Sequence, residues 1–107
     1  MFLLIKMTKA FVKKIPGREI EVETYVNWYD NEWEIQLKGP EAEKARKAGQ
    51  ISDVVCKMWE KDNDPEGKHA KEVHNKAVIL LESGTNIKKT VLEVEAMIST
   101  LADKIYS

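Results

Sequence analysis

Apolar positions recur with a period of two up to residue 38 and with a helical period beyond residue 40, so the chain divides into a strand-forming part and a helix-forming part. Ile20, Val22, Thr24, Val26 and Trp28 alternate with Glu19, Glu21, Glu23, Tyr25 and Asn27, as in a strand with one buried and one wet face. The turn formers Tyr29, Asp30, Asn31 and Glu32 come next, and Trp33, Ile35 and Leu37 resume the alternation against Glu32, Glu34, Gln36 and Lys38. Upstream, the β-branched, aromatic and lysine residues from Phe2 to Lys14 predict a first strand. Met7 and Phe11 share one face with Ile5, and Ala10 and Val12 share the other with Leu4. Ile15-Pro16-Gly17-Arg18 is a turn between the first two strands. Three strands with one apolar face cannot hide it unaided, so the rest of the chain must cover it.

Pro40 suits the first helical position, and Glu41 and Glu43 complement a helix N-terminus, so a helix is expected to begin after Gly39 and to break or bend at Gly49. Ile51, Val54, Val55, Met58 and Trp59 then follow the spacing of a core-facing helix, the expected lid on the sheet. Asp64 as N-cap before Pro65 opens another helix, with Ala70, Val73, Ala77, Leu80 and Leu81 on one side and Ser83-Gly84 at its end. Thr85 or Asn86 caps a final helix in which Ile87, Val91, Val94, Ile98, Leu101 and Ile105 are spaced 4, 3, 4, 3 and 4. That spacing is a heptad seam, and the short connection predicts that the last two helices pair antiparallel. The fold class expected is α+β: a three-stranded antiparallel meander over residues 1–38, packed against three or four helices over residues 40–107, in one domain of 107 residues.

Composition narrows the functional classes. Hydrophobic residues make up 43% and charged residues 33%, enough of both to separate a core from a surface. The net charge of −1 provides no global field for nucleic-acid phosphates. Charge is uneven, however: Lys6, Lys9, Lys13, Lys14 and Arg18 precede an acidic run of Glu19, Glu21, Glu23, Asp30, Glu32 and Glu34, and the two signs face each other across adjacent strands. Cys56 is the sole cysteine, which excludes an internal disulfide and a cysteine-rich zinc site and favours a reducing compartment. The opening Met-Phe-Leu-Leu-Ile is too short for a signal peptide's apolar region, and no run of apolar residues is long enough to span a membrane, so a cytoplasmic, unprocessed chain is expected, starting at Met1 or at Met7.

Candidate chemistry is sparse. His69 and His74 are five apart, whereas two zinc ligands on a helix want a spacing of four. Cys56 with a histidine and Asp53 lacks a nucleophile motif and reads as a small core or boundary thiol. Glu19, Glu21 and Glu23 could form an acidic cluster, but a strand with one wet face carries such runs for solvation alone. The glycines are scattered at turns and helix ends and build no phosphate cradle. Residues Val26-Asn27-Trp28-Tyr29-Asp30-Asn31-Glu32-Trp33 resemble a short segment of glyceraldehyde-3-phosphate dehydrogenases, whose asparagine, here Asn31, is implied to contact the nicotinamide. That family's dinucleotide fingerprint, catalytic cysteine context and chain length are missing, so the eight residues bring no function with them. No catalytic residue, metal site or cofactor is expected.

Two surfaces stand out. Tyr25 and Tyr29 fall on the parity opposite the core, beside Lys6, Lys9 and Lys13, and such a face could stack a base and hold a phosphate, although Glu21 and Glu23 share it. The seam Ile87, Val91, Val94, Ile98, Leu101 and Ile105 is longer than its partner helix requires, and Val78, Ile79, Leu92, Met97 and Ala102 add apolar positions outside the main stripes. Excess apolar helix surface in a small protein points to burial against another chain. The function expected is a non-enzymatic interaction or regulatory module, a homo-oligomer and by preference a dimer, that binds another macromolecule as inhibitors and accessory proteins of mobile elements do. The alternatives are a single-stranded nucleic-acid or nucleotide binder using the Tyr/Lys face, and an enzyme with a site shared between subunits.

Overall fold

The core side of the second strand is as expected, with Val22, Thr24 and Val26 buried and Trp33, Ile35 and Leu37 of the next strand buried opposite them, but Glu23 and Asn27, on the side expected to be wet, are buried as well. The computed structural model describes residues 8–27, 32–52, 56–59 and 67–106, with the side chains of 56–59, 105 and 106 excluded. In chain order these form β1 (Thr8–Lys14), β2 (Glu21–Asn27), β3 (Glu32–Lys38), α1 (Pro40–Lys47), β4 (Cys56–Trp59), α2 (Lys68–Glu82) and α3 (Ile87–Tyr106). The strands make one antiparallel sheet in the order β1-β2-β3-β4. The architecture is the expected α+β one, with the meander followed by three helices and the last two packed together.

The lid differs from expectation. Residues 56–59 do not continue a helix from Ile51 but form β4, which pairs with β3 through Trp33↔Met58 and Ile35↔Cys56. Val54 and Val55 lie outside the described residues. Short runs rich in β-branched and aromatic residues fit either period, and here β3 offered an edge whose backbone groups needed partners. The covering role falls to α2, which crosses β2 and reaches β1 and β3, and to α3, which packs on α2, α1 and β4.

α1 ends at Ala48 and does not run through Gly49. Its start is fixed by Gly39, whose φ is 103°, and where an added Cβ would come within 2.7 Å of the Glu19 carbonyl oxygen. That same oxygen accepts from the Glu41 N–H at 3.0 Å, so the close approach ties α1 to the turn between β1 and β2. α2 opens at Lys68 behind Gly67, later than the Asp64-Pro65 opening, whose residues lie outside the described set. At α3 the choice of cap is resolved: Asn86 Oδ1 accepts from the Lys89 N–H at 2.8 Å.

The seam of α3 is largely consumed inside the chain. Ile87, Val91 and Val94 are buried, with Val94 at 1% exposure, and join Ala70, Val73, Ala77 and Leu81 of α2 in the core. These three residues therefore belong to the core of the single chain. Ile98 and Leu101 are half-buried against that core, and the side chain of Ile105 lies outside the described residues.

Candidate functional site

One extra residue in β1 decides which side chains reach the helices. Lys9 stands opposite Tyr25 but Phe11 stands opposite Thr24, so Ala10 is a bulge that takes no partner. A bulge reverses the facing of every residue beyond it on the strand. Lys9 stays on the outer face of the sheet with Tyr25, whereas Phe11 and Lys13, opposite Thr24 and Val22, turn to the helix face. Strict alternation would have kept Lys9, Phe11 and Lys13 together. The Tyr/Lys face is therefore not assembled as expected: Lys13 leaves it, and Lys6 and Tyr29 lie outside the described residues.

On that face, Glu23 gathers an internally satisfied cluster. The Glu23 carboxylate is buried at 6% exposure, accepts from the Tyr25 hydroxyl at 2.6 Å and from Lys9 Nζ at 3.3 Å, and Lys9 Nζ lies 5.9 Å from the centre of the Tyr25 ring. Burial pushes the Glu23 carboxyl up, but the hydrogen bonds from Tyr25 and Lys9 and the lysine's charge outweigh it and hold the group below its ordinary range. Negative charge nearby has the reverse effect on the phenol: the hydrogen bond to Glu23, burial and the surrounding carboxylates push Tyr25 up to about 12. Glu23 thus belongs to a covered cross-strand network and not to the solvated face expected for the acidic run.

A second polar centre closes one end of the molecule. Arg18 donates from Nε and Nη2 to the two oxygens of Glu41, at 3.2 and 2.6 Å, and from Nη1 to the carbonyls of Leu81 and Thr85, at 3.0 and 2.9 Å. α2 ends there, with the Gly84 N–H on Leu81 O and the Thr85 N–H on Leu80 O, a termination that needs the left-handed φ of 85° at Gly84. One guanidinium therefore joins the β1–β2 turn, α1 and the α2–α3 turn.

Between β1 and α2 runs a groove of about 450 Å³, lined by Ala10, Phe11, Val12 and Lys13 from the strand and by Lys71, His74, Asn75 and Val78 from the helix. The helix residues are spaced as one stripe, i, i+3, i+4 and i+7, beside the core stripe. His74, expected at a boundary, is buried at 5% exposure. Its Nδ1 shares a 2.8 Å hydrogen bond with the fully buried Thr24 hydroxyl, and its ring lies 5.7 Å from that of Phe11, tilted by 47°. Burial pushes the imidazole below its usual 6.5, so it is held neutral near neutral pH. The side chains of Lys13 and Lys71 are exposed and make no hydrogen bond or ion pair among the described residues, and none of the residues lining the groove is acidic.

Sequence reasoning missed this groove because the Ala10 bulge leaves no mark in an alternation of lysines and apolar residues. The helix half carried a signal, since Lys71, Asn75 and Val78 flank the core stripe at helical spacing. Among the described residues no group of three or more His, Cys, Asp or Glu side chains is arranged to hold a metal, and no helix is long and apolar enough to cross a membrane. The chain matches no known protein family, no curated protein and no solved structure.

Proposed function

We propose that this chain is a small, non-enzymatic interaction module whose partner is another protein. The observation that carries the reading is that, among the described residues, β1 is an edge strand of the sheet and lies beside a groove whose two lysines have no acidic partner. A sheet edge beside a groove that can take alternate side chains is a recurring form of peptide recognition. The titratable groups elsewhere serve structure: Glu23 collects Lys9 and Tyr25, and Arg18 collects Glu41 and two carbonyls.

The nucleic-acid reading of the Tyr/Lys face has weaker support, because Lys9 and Tyr25 are both engaged with a buried carboxylate that repels phosphate. A homodimer draws support from the C-terminal half of α3, where Ile98 and Leu101 are half-buried, and from Leu92, at 57% exposure. Light scattering on a sizing column separates a 12.3 kDa monomer from a dimer at once. The binding function is tested by cross-linking capture from the cells that make the protein. A recovered protein that competes with unlabelled chain supports the reading, and recovery of nucleic acid alone overturns it.

A further inference from the structure

We infer that the groove between β1 and α2 receives an extended, acidic segment of the partner protein, added antiparallel or parallel to β1 as a further strand of the sheet. The inference rests on the protein-binding reading above and names the surface and the chemistry of what it binds. β1 pairs only with β2, so among the described residues its outer row of backbone N–H and C=O groups has no strand partner and can take a new strand. Over seven residues, Thr8–Lys14, that edge can pair with roughly 23 Å of extended chain at about 3.3 Å per residue.

A strand laid there turns alternate side chains toward α2. They meet the Phe11 ring, the edge of His74 and Val78, which suit apolar groups, and then the ammonium groups of Lys13 and Lys71, which suit carboxylates. The charge argument is specific to this place. Lys9, one bulge away on the same strand, is neutralised by Glu23, while Lys13 and Lys71 have no acidic partner among the described residues and line a groove that contains no carboxylate. The Ala10 bulge is what brings Phe11 and Lys13 to the helix side, so the apolar floor and the cationic rim arise from one backbone irregularity. Lysines on an edge strand also discourage pairing with a second copy of the same lysine-bearing edge, which favours an acidic strand over self-pairing.

The test uses the full chain and a fluorescein-labelled peptide of about eight residues alternating Val and Glu, the length that β1 can pair. Its counterpart alternates Val and Lys, and oligothymidylate serves as a phosphate probe. Saturable anisotropy with the Glu peptide alone, with amide shifts at Phe11, Lys13, Lys71 and Val78, is the expected result. Lys13→Glu/Lys71→Glu, at two exposed positions, should weaken the Glu peptide by about tenfold or more and admit the Lys peptide, with the circular dichroism unchanged. Binding of the Glu peptide that ignores the charge reversal overturns the inference, as does preferential binding of oligothymidylate through the same lysines. If no peptide binds but the wild-type chain still captures a protein, the groove is wrong and the interaction module stands. If neither binds, both fall.

Discussion

Arg18 and the pair Lys13 and Lys71 carry the same charge on one small molecule, and the structure treats them in opposite ways. The guanidinium of Arg18 is surrounded: a carboxylate accepts from two of its nitrogens and two main-chain carbonyls accept from the third. The two ammonium groups line a groove without a carboxylate and bond no acceptor among the described residues. A cation bonded on all three nitrogens by its own chain is part of the scaffold, whereas a cation with no bonded partner among the described residues, beside the sheet's edge strand, is available to something else. Lys9 falls on the scaffold side of this division although it shares a strand with Lys13, because it precedes the bulge and stays on the face that holds Glu23.

The contrast can be broken most directly at Arg18. Arg18→Ala leaves Glu41 and the carbonyls of Leu81 and Thr85 without their donor, and should cost about 2–4 kcal/mol in urea unfolding. Arg18→Lys should recover only part of this, since a point charge cannot reproduce the planar fork. A neutral Arg18→Ala would remove the distinction between scaffold and open cations.

Next in size is the hydrogen bond beneath the groove. Thr24→Val leaves His74 Nδ1 without its partner in a buried site and should destabilise by about 1–3 kcal/mol. The same histidine predicts a pH dependence. Burial lowers its folded pKa below the 6.5 of the exposed group, so the unfolded chain binds more protons as the pH falls below that value. Its stabilising contribution is complete above about pH 6.5 and is lost as the pH falls through the folded pKa. Urea midpoints at about pH 7.5 and 5.5 should fall toward acid in the wild type, and less so in His74→Gln. An identical slope in both would show that another group titrates there.

Smaller effects belong to the Glu23 cluster. Tyr25→Phe should cost about 1 kcal/mol, and absorbance titration should find Tyr25 ionising near 12, returning toward 10 in Glu23→Gln. The smallest change is expected where the charge is open. Lys13→Glu/Lys71→Glu should alter unfolding free energy by no more than about 0.5 kcal/mol, as for exposed positions with no partner. A large loss there would mean that these lysines hold the fold together and would sharpen the question of what they contact.

Much of the fold was legible along the chain. β2 and β3 follow from the alternation through Val22, Val26, Trp33, Ile35 and Leu37, and the hairpin of α2 and α3 follows from its stripes and the short Ser83-Gly84 connection. The candidate site was much less legible. Alternation alone puts Lys13 on the face with Tyr25, and Arg18 stands in the sequence only as one member of a basic run, because its four acceptor atoms come from Glu41, Leu81 and Thr85, far along the chain.

By itself the sequence determined which residues must be buried together and with what local geometry, because burial period is a property of neighbouring positions and the backbone can satisfy it locally in helices and hairpins. Only the tertiary structure decided that Cys56–Trp59 completes the sheet, that Ile87, Val91 and Val94 are buried inside the chain, and that Phe11 and Lys13 turn to face α2. Each of these outcomes depends on a partner distant in sequence: an open strand edge, a facing helix, or a cross-strand register interrupted at one residue. Apolar periodicity says that a surface needs cover, and only the folded chain shows what covers it and which strands stand at the edges of the described sheet.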